Sequence, residues 1–359
     1  MFVLELTPEC PQSQRETILH EVGLLSEDTT PTDPQRLRWI ITADLTPTQL
    51  KDLSGTQGIA RIEETTISYP LVSRQYHEEN STFSLGEWQV GSADIGVIAG
   101  PCAVESREQI IESAFAVKEA GGIALRGGAY KPRTSPHSFQ GHGIQGLQWL
   151  AEAREKTGLP IVTEVMDTET LPWIVEYADV LQVGTRNMQN FSLLRALGRV
   201  RLPVLLKRAM HCTLNEFVSA AEYILQGGNE QVMLCERGIR TFTRVSRNTF
   251  DANLLPILKD TTHLPVVADP SHAVGDSKYV DAIARCAIAA GADGLLVEMH
   301  PRPEEALSDG AQSLRPEQLA SMIRQVRRIA LAVDRDVVTG KPQTSPFHGQ
   351  SVPNREEHI

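Results

Sequence analysis

No stretch of the 359-residue chain comes near the roughly 18 consecutive apolar residues that a membrane-spanning helix needs. The opening MFVLELTPECPQSQRE has no basic region followed by an apolar stretch, so it does not read as an export leader and a cytoplasmic protein is expected. Positive charge is also short. The net charge of −11 removes any global electrostatic case for nucleic acid or acidic lipid as a partner, but a basic pocket can still sit inside an acidic shell. The five cysteines (Cys10, Cys102, Cys212, Cys235 and Cys286) are odd in number and irregularly spaced in a chain too long to need staples, which excludes a disulfide framework. Aromatics are 5% against a hydrophobic total of 41%, so the core is aliphatic.

Two patterns divide the chain. Over residues 1–65, FVLELT and LRWIITADL read as strands, RETILHEVGLL as an amphipathic helix with Ile18, Val22 and Leu25 on one side, TPTQLKDLSG as a capped helix ending at Gly55, and IARIEETTI as a strand. With a second strand only weakly marked around the breaker-rich SEDTTPTDPQ, this is the order of a ferredoxin-like α+β domain. Residues 66–92 read as a linker with a short strand pair around Gly86, and 336–359 as a flexible tail. Between them, over 93–335, eight aliphatic runs alternate with helical stretches: IGVIAG, IALRGG, PIVTEV, DVLQVG, PVLLKR, QVMLCERG, PVVADP and GLLVEM. Strands this apolar have both faces covered, which favours a closed (β/α)8 TIM barrel over a doubly wound open sheet.

The polar residues cluster where those runs end: Cys102, Arg126, Glu164, Arg186, Lys207, Arg237, Asp269 and Glu298, in strand order. That is the face on which such barrels carry their active sites. The cations Arg126, Lys131, Arg133, Arg186, Lys207 and Arg237, brought to one mouth, need anions to offset their repulsion, and two phosphates and a carboxylate suit them. A second set, Cys102, His272, Glu298 and Asp309, comes from strands that meet when the barrel closes. One thiolate, one imidazole and two carboxylates suit a catalytic divalent transition metal better than an oxygen-only Mg²⁺ or Ca²⁺ site or a Cys-rich structural zinc.

The motifs IAGPCAVES, LRGGAYKPRTSPHSFQG, VGTRNMQN, LLKR, CERGIRTF, ADPSHAVG and VEMHPRPEEALSDGAQSL, spread over residues 66–335, resemble the 3-deoxy-7-phosphoheptulonate synthases of the short single-barrel type. The N-terminal module is similar to the regulatory domain some members carry. The resemblance implies condensation of phosphoenolpyruvate with erythrose 4-phosphate, the first step of the shikimate route. Cys102, His272, Glu298 and Asp309 would then hold the ion, Mn²⁺ first, with Fe²⁺, Co²⁺ or Zn²⁺ as alternatives. Arg126 and Lys131 would hold the phosphoenolpyruvate carboxylate, and Arg186 and Arg237 its phosphate, with Lys207 between them and Gly184 and Thr185 beside Arg186.

The segment Lys131, Pro132, Arg133, Thr134, Ser135 would receive the aldose phosphate. The related octulosonate synthases typically have Lys-Ala-Asn-Arg-Ser there, so KPRTS points to the four-carbon aldose, with arabinose 5-phosphate as the alternative substrate. Lys131 and Glu164 are both candidates for moving protons. Lys207 could instead be a Schiff-base lysine, a reading its arginine neighbour and the four metal-type residues disfavour. The resemblance further implies a homodimer or homotetramer, and tyrosine or phenylalanine as an effector; a non-catalytic amino-acid sensor is the alternative of a different class. After LLKR the family commonly has Gly, whereas this chain has Ala209, Met210, His211 and Cys212. Strain is expected at Ala209 if that position needs a positive φ.

Overall fold

The computed structural model of the chain describes residues 1–22, 37–41, 44–75, 77–132, 135 and 137–339. At the N-terminus, β1 (Phe2–Leu6), α1 (Gln12–Glu21), β2 (Arg38–Ile41), α2 (Pro47–Ser54) and β3 (Ile59–Glu64) form a three-stranded sheet of order β2-β1-β3, with both pairings antiparallel. Thr46 opens α2 with a capping box closed by Gln49, and Pro47 follows at the first turn. Ile18 and Val22 are buried in this unit's own apolar cluster with Leu4, Trp39 and Leu53. A central β1 flanked by these two strands is the arrangement the ferredoxin-like order requires. The expected second strand and Leu25 fall within 23–36, outside the described residues.

Next come the hairpin β4 (Phe83–Leu85) and β5 (Trp88–Val90), then the strands β6 (Gly96–Gly100), β7 (Ala124–Arg126), β8 (Ile161–Val165), β9 (Val180–Val183), β10 (Val204–Lys207), β11 (Val232–Glu236), β12 (Val266–Ala268) and β13 (Gly294–Glu298). These eight close into a parallel barrel in which β13 pairs with β6. The helices around it are α3 (Arg107–Ala120), α4 (Ile144–Thr157), α5 (Leu171–Tyr177), α6 (Phe191–Gly198), α7 (Leu214–Leu225), α8 (Leu254–Thr261), the short α9 (Pro270–Val274), α10 (Ser277–Ala289) and α11 (Pro316–Ala332). All eight strands expected from the apolar runs are present, and the open-sheet alternative is excluded by the closure.

The pleat sorts each strand's side chains by parity. Val97, Leu125, Leu181, Leu206, Leu234 and Val297 pack outward against the helices, whereas Ile98, Ala124, Val162, Val180, Leu205, Met233, Val267 and Leu296 fill the barrel. The hairpin seals the amino end of this interior. Trp88 is fully buried there, and a Cβ on Gly96 would lie 2.3 Å from its ring, so only glycine fits beneath the indole.

The segment expected to be a linker is fastened to the barrel. The Glu222 carboxylate on α7 accepts the Leu71 and Val72 N–H groups at 3.0 and 2.9 Å, Arg74 donates to the carbonyls of Lys259 and Thr262, and His263 bonds Ser81 and the Leu71 carbonyl. At the other end, Val337 bridges Ile95 beside β6, so the segment expected to begin a tail at 336 is paired there; residues 340–359 lie outside the described residues. Burial pushes Glu222 up to about 7, against the lowering effect of the two N–H donors. The folded protein thus keeps a proton that the unfolded chain releases, and stability falls as pH rises from the ordinary carboxylate range to about 7. Glu222→Gln removes this titration. Its melting temperature, followed from pH 5 to 8, is expected to decline less than that of the parent.

Candidate active site

Two residues above the interior apolar layer, the same parity places polar groups at the carboxyl end of the barrel. Ala124 leads to Arg126, Val162 to Glu164, Leu205 to Lys207, Val267 to Asp269 and Leu296 to Glu298; Cys235 leads to Arg237, and Gly100 to Cys102. Because Lys207 points inward, Arg208 points out into the helix layer, where it pairs with Glu236 and Asp251, both at 2.9 Å. Glu236 in turn accepts the Gly238 N–H at 2.7 Å, fixing the backbone on which Arg237 sits.

Of these inward groups Cys102, Arg126, Glu164, Lys207 and Arg237 line one cavity of about 360 Å³, joined by His272, Asp309, Lys131, Pro132, Ser135, Gly184, Thr185 and Arg186 from the sequence expectations, while Asp269 and Glu298 sit behind its wall. Arg133 and Thr134 lie outside the described residues. Gln182, Met210, Ser138 and Arg247 also line the cavity and were not expected. Gln182 has the inward parity of its strand, a signal that was available in DVLQVG. Arg247 comes from an irregular loop where no periodicity could mark it.

The charges are arranged unequally. Arg126 donates to Glu298 at 2.5 Å, Lys207 pairs with Asp269, and Lys131 donates to the Cys102 carbonyl at 2.9 Å with Glu164 3.8 Å away. Arg237 is buried yet, among the described residues, reaches only the Gly238 and His272 carbonyls, each at 3.3 Å. Its Nε and that of Arg126 have no partner among the described residues. Burial lowers the Arg237 pKa, opposed by Asp269 and Glu236. A buried guanidinium held this way is built for an anion that arrives later.

The metal-type residues converge. Donor atoms of Cys102, Glu298 and Asp309 all lie within 4.8 Å of one another. The imidazole Nε2 of His272 is 3.5 Å from Glu298 and 3.8 Å from Asp309, while its Nδ1 meets the Asp269 carboxylate at 2.7 Å. Asp269 therefore fixes the ring so that Nε2 faces the cluster, the arrangement common for metal-binding histidines. Burial, with the Glu298 charge adding to it, pushes the Cys102 thiol up to about 11. Burial also works against ionisation of Asp309, but His272 and Arg247 outweigh it and bring that carboxyl down to about 2. A thiol and two carboxylates this close, with an oriented imidazole beside them, fit a divalent cation.

Ala209 is not strained: among the described residues, only Leu37, Asp309 and Asp334 are non-glycines with positive φ. The Ala209 N–H instead meets the Met188 sulfur at 3.1 Å, so the loop after β10 accommodates a side chain without a left-handed turn. Gly184 is different. Its backbone is ordinary (φ −67°), but an added Cβ would stand 2.0 Å from Glu164 Oε1. Gly184→Ala should therefore keep the fold while moving Glu164 away from Lys131. A loss of kcat on the order of a hundredfold is expected from such a displacement, with little change in melting temperature.

The DAHP synthetase I family matches the chain over residues 78–333. The chain belongs to that family. Within reach of the family, the phospho-2-dehydro-3-deoxyheptonate aldolase of Thermotoga maritima is 49% identical over 265 residues, 74% of this chain and 78% of that protein. A crystal structure of the phospho-2-dehydro-3-deoxyheptonate aldolase (DAHP synthase) of the same organism superposes with a TM-score of 0.74 at 38% identity, covering 94% of this chain and 98% of that one. A 2-dehydro-3-deoxyphosphooctonate aldolase from Nitratidesulfovibrio vulgaris is 32% identical over 248 residues, 64% of this chain and 90% of that protein. Among the described residues no helix is long and apolar enough to cross a membrane.

Proposed function

We propose that the chain condenses phosphoenolpyruvate with erythrose 4-phosphate to give 3-deoxy-D-arabino-heptulosonate 7-phosphate and inorganic phosphate. The observation that carries this reading is a cavity lined both by Arg186 and Arg237, cations without carboxylate partners among the described residues, and by Cys102, His272 and Asp309, with Glu298 against that cluster. Arg186 and Arg237 bind the phosphate of phosphoenolpyruvate, and Arg126 and Lys131 its carboxylate. Ser135, with Arg133 and Thr134, takes the aldose phosphate. Cys102, His272, Glu298 and Asp309 would hold a divalent ion, with Mn²⁺ the first to test and Fe²⁺, Co²⁺ or Zn²⁺ as alternatives, which would supply Lewis acidity toward the aldehyde.

Carbon 3 of phosphoenolpyruvate attacks the aldehyde carbon, whose oxygen takes up a proton. Water adds at carbon 2, and the carbon 2–oxygen bond to phosphate breaks. Lys131 and Glu164, 3.8 Å apart at the cavity wall, form the pair placed to move these protons. Lys207 is engaged by Asp269, a state that suits charge stabilisation better than Schiff-base formation. Phosphate release from phosphoenolpyruvate, assayed with erythrose 4-phosphate and with arabinose 5-phosphate in parallel, tests the reading. Turnover with the five-carbon sugar alone would transfer the chain to the octulosonate branch.

The same reading makes residues 1–65 a regulatory module for tyrosine or phenylalanine, acting in a homodimer or homotetramer in the cytoplasm. The amino acid can act only by binding one arrangement of module and barrel more tightly than another. Deleting residues 1–65 should abolish inhibition while leaving turnover. Inhibition that survives the deletion, or a full-length enzyme indifferent to both amino acids, rules this role out.

A further inference from the structure

Both loops that supply Cys102 and Asp309 also carry a buried contact that the chemistry above does not use. Glu105, three residues after Cys102, turns its carboxylate away from the cavity. One oxygen accepts the Leu307 N–H at 2.9 Å, and the other lies 3.4 Å from Nε2 of His300. The Glu105 and His300 side chains are 10% and 4% exposed, so the contact is shielded from water.

The protonation of His300 follows from its other nitrogen. Nδ1 accepts the Arg302 N–H at 3.0 Å, so in the neutral ring Nε2 carries the hydrogen and can only donate. This Nε2 has no well-aligned acceptor among the described residues, and the Glu105 carboxylate is the acceptor it faces. Leu307 is two residues before Asp309, and His300 is two after Glu298. Asp309 itself holds φ +55°, a left-handed conformation that Asp tolerates but that the surroundings must maintain. Ser308, between Leu307 and Asp309, brings its hydroxyl to 3.1 Å from the Cys102 sulfur.

We infer that Glu105 is a positioning residue: with His300 and the Leu307 amide it clasps the Asp309 loop to the Cys102 loop and so sets the separation of two metal donors. Glu105 does not line the cavity in which the substrates and the ion would sit. The inference rests on the metal reading of the Cys102–His272–Glu298–Asp309 cluster, and the experiment keeps the two separable. A second tether on the same loop serves as the control. Arg302 bonds Glu112 on α3 at 2.9 Å, but both side chains are more than 40% exposed, so that pair holds the loop weakly.

The test is Co²⁺ binding by full-length protein, followed by equilibrium dialysis and by the thiolate-to-cobalt absorption band. Glu105→Ala is expected to weaken Co²⁺ binding about 10- to 100-fold, the range for outer partners of metal ligands, with an altered band at saturation. Glu105→Gln keeps an acceptor for Leu307 but sets an amide N–H₂ against the His300 donor, so it should fall between parent and Ala. It also covers the case in which the alanine variant does not fold. Glu112→Ala should bind as the parent does. If the parent shows no thiolate-to-cobalt band, the metal reading falls and the clasp with it. A normal band in the parent with Glu105→Ala and Glu105→Gln binding within twofold overturns the clasp alone, as does an equal loss in Glu112→Ala.

Discussion

Cys102→Ala, or treatment of the parent protein with a chelator, is expected to lower kcat/KM by roughly a thousandfold or more. The magnitude follows from the work assigned to the ion. Stabilising charge on the aldehyde oxygen contributes several kcal/mol, and each 1.4 kcal/mol is a factor of ten in rate. Cys102 is 3% exposed and 3.3 Å from Asp309, so removing its sulfur takes one donor from a closed set without opening a large cavity. The fold should persist, because the barrel closure at β13 and β6 lies below the cluster. His272→Ala should lose a similar amount, since Nε2 is the nitrogen donor facing the carboxylates and Asp269 has no other way to orient one. Mn²⁺ added after dialysis should restore the chelated parent but not Cys102→Ala. Full turnover by Cys102→Ala in excess chelator would end the metal assignment.

How much of this site could be read from residues alone depends on periodicity. A barrel strand alternates between helix layer and interior, so one inward apolar residue fixes the side of the polar residue two positions on. Arg126, Glu164, Lys207, Arg237, Asp269 and Glu298 all obey this rule, and each was visible at the end of an apolar run. Gln182 obeys it too, but an uncharged amide in a buried strand drew no notice. Where the chain leaves the pleat, the rule fails. Arg247 reaches Asp309 at 3.0 Å and Gln312 at 2.6 Å from a loop with no repeat, and Gln312 reaches Glu298 at 2.5 Å by folding back 14 residues later. The clasp of Glu105 and His300 was hidden for the same reason, although both lie inside motifs quoted for the family resemblance. Asp269 was seen as a strand-end charge, but its grip on His272 depends on α9 starting immediately after β12, where its side chain also accepts the His272 N–H. Strain at Ala209 was expected from its residue type alone, and the actual backbone there has negative φ.

Replacing Arg237 with methionine should make the ligand-free protein more stable and nearly inactive. The guanidinium is 4% exposed and, among the described residues, reaches two carbonyls but no carboxylate, so in the absence of ligand its charge is buried with little compensation. Taking an ion out of water costs several kcal/mol in proteins even after relaxation, and an apolar side chain of similar reach avoids that cost. Asp269 does not become an orphan in the exchange, because Lys207 and His272 still hold it. A gain of about 1–3 kcal/mol is expected in the ligand-free state, which raises the melting temperature by about 1–1.5 °C per kcal/mol in a protein of this size. Phosphoenolpyruvate binding should move the other way. Each charge-assisted bond to its phosphate contributes about 1.5–3 kcal/mol, so losing two weakens binding by a hundredfold or more. Saturating phosphoenolpyruvate should consequently raise the melting temperature of the parent and leave that of Arg237→Met nearly unchanged. A variant that melts lower than the parent without ligand would mean the guanidinium is compensated after all. One that is still stabilised by phosphoenolpyruvate would mean Arg237 does not hold the phosphate.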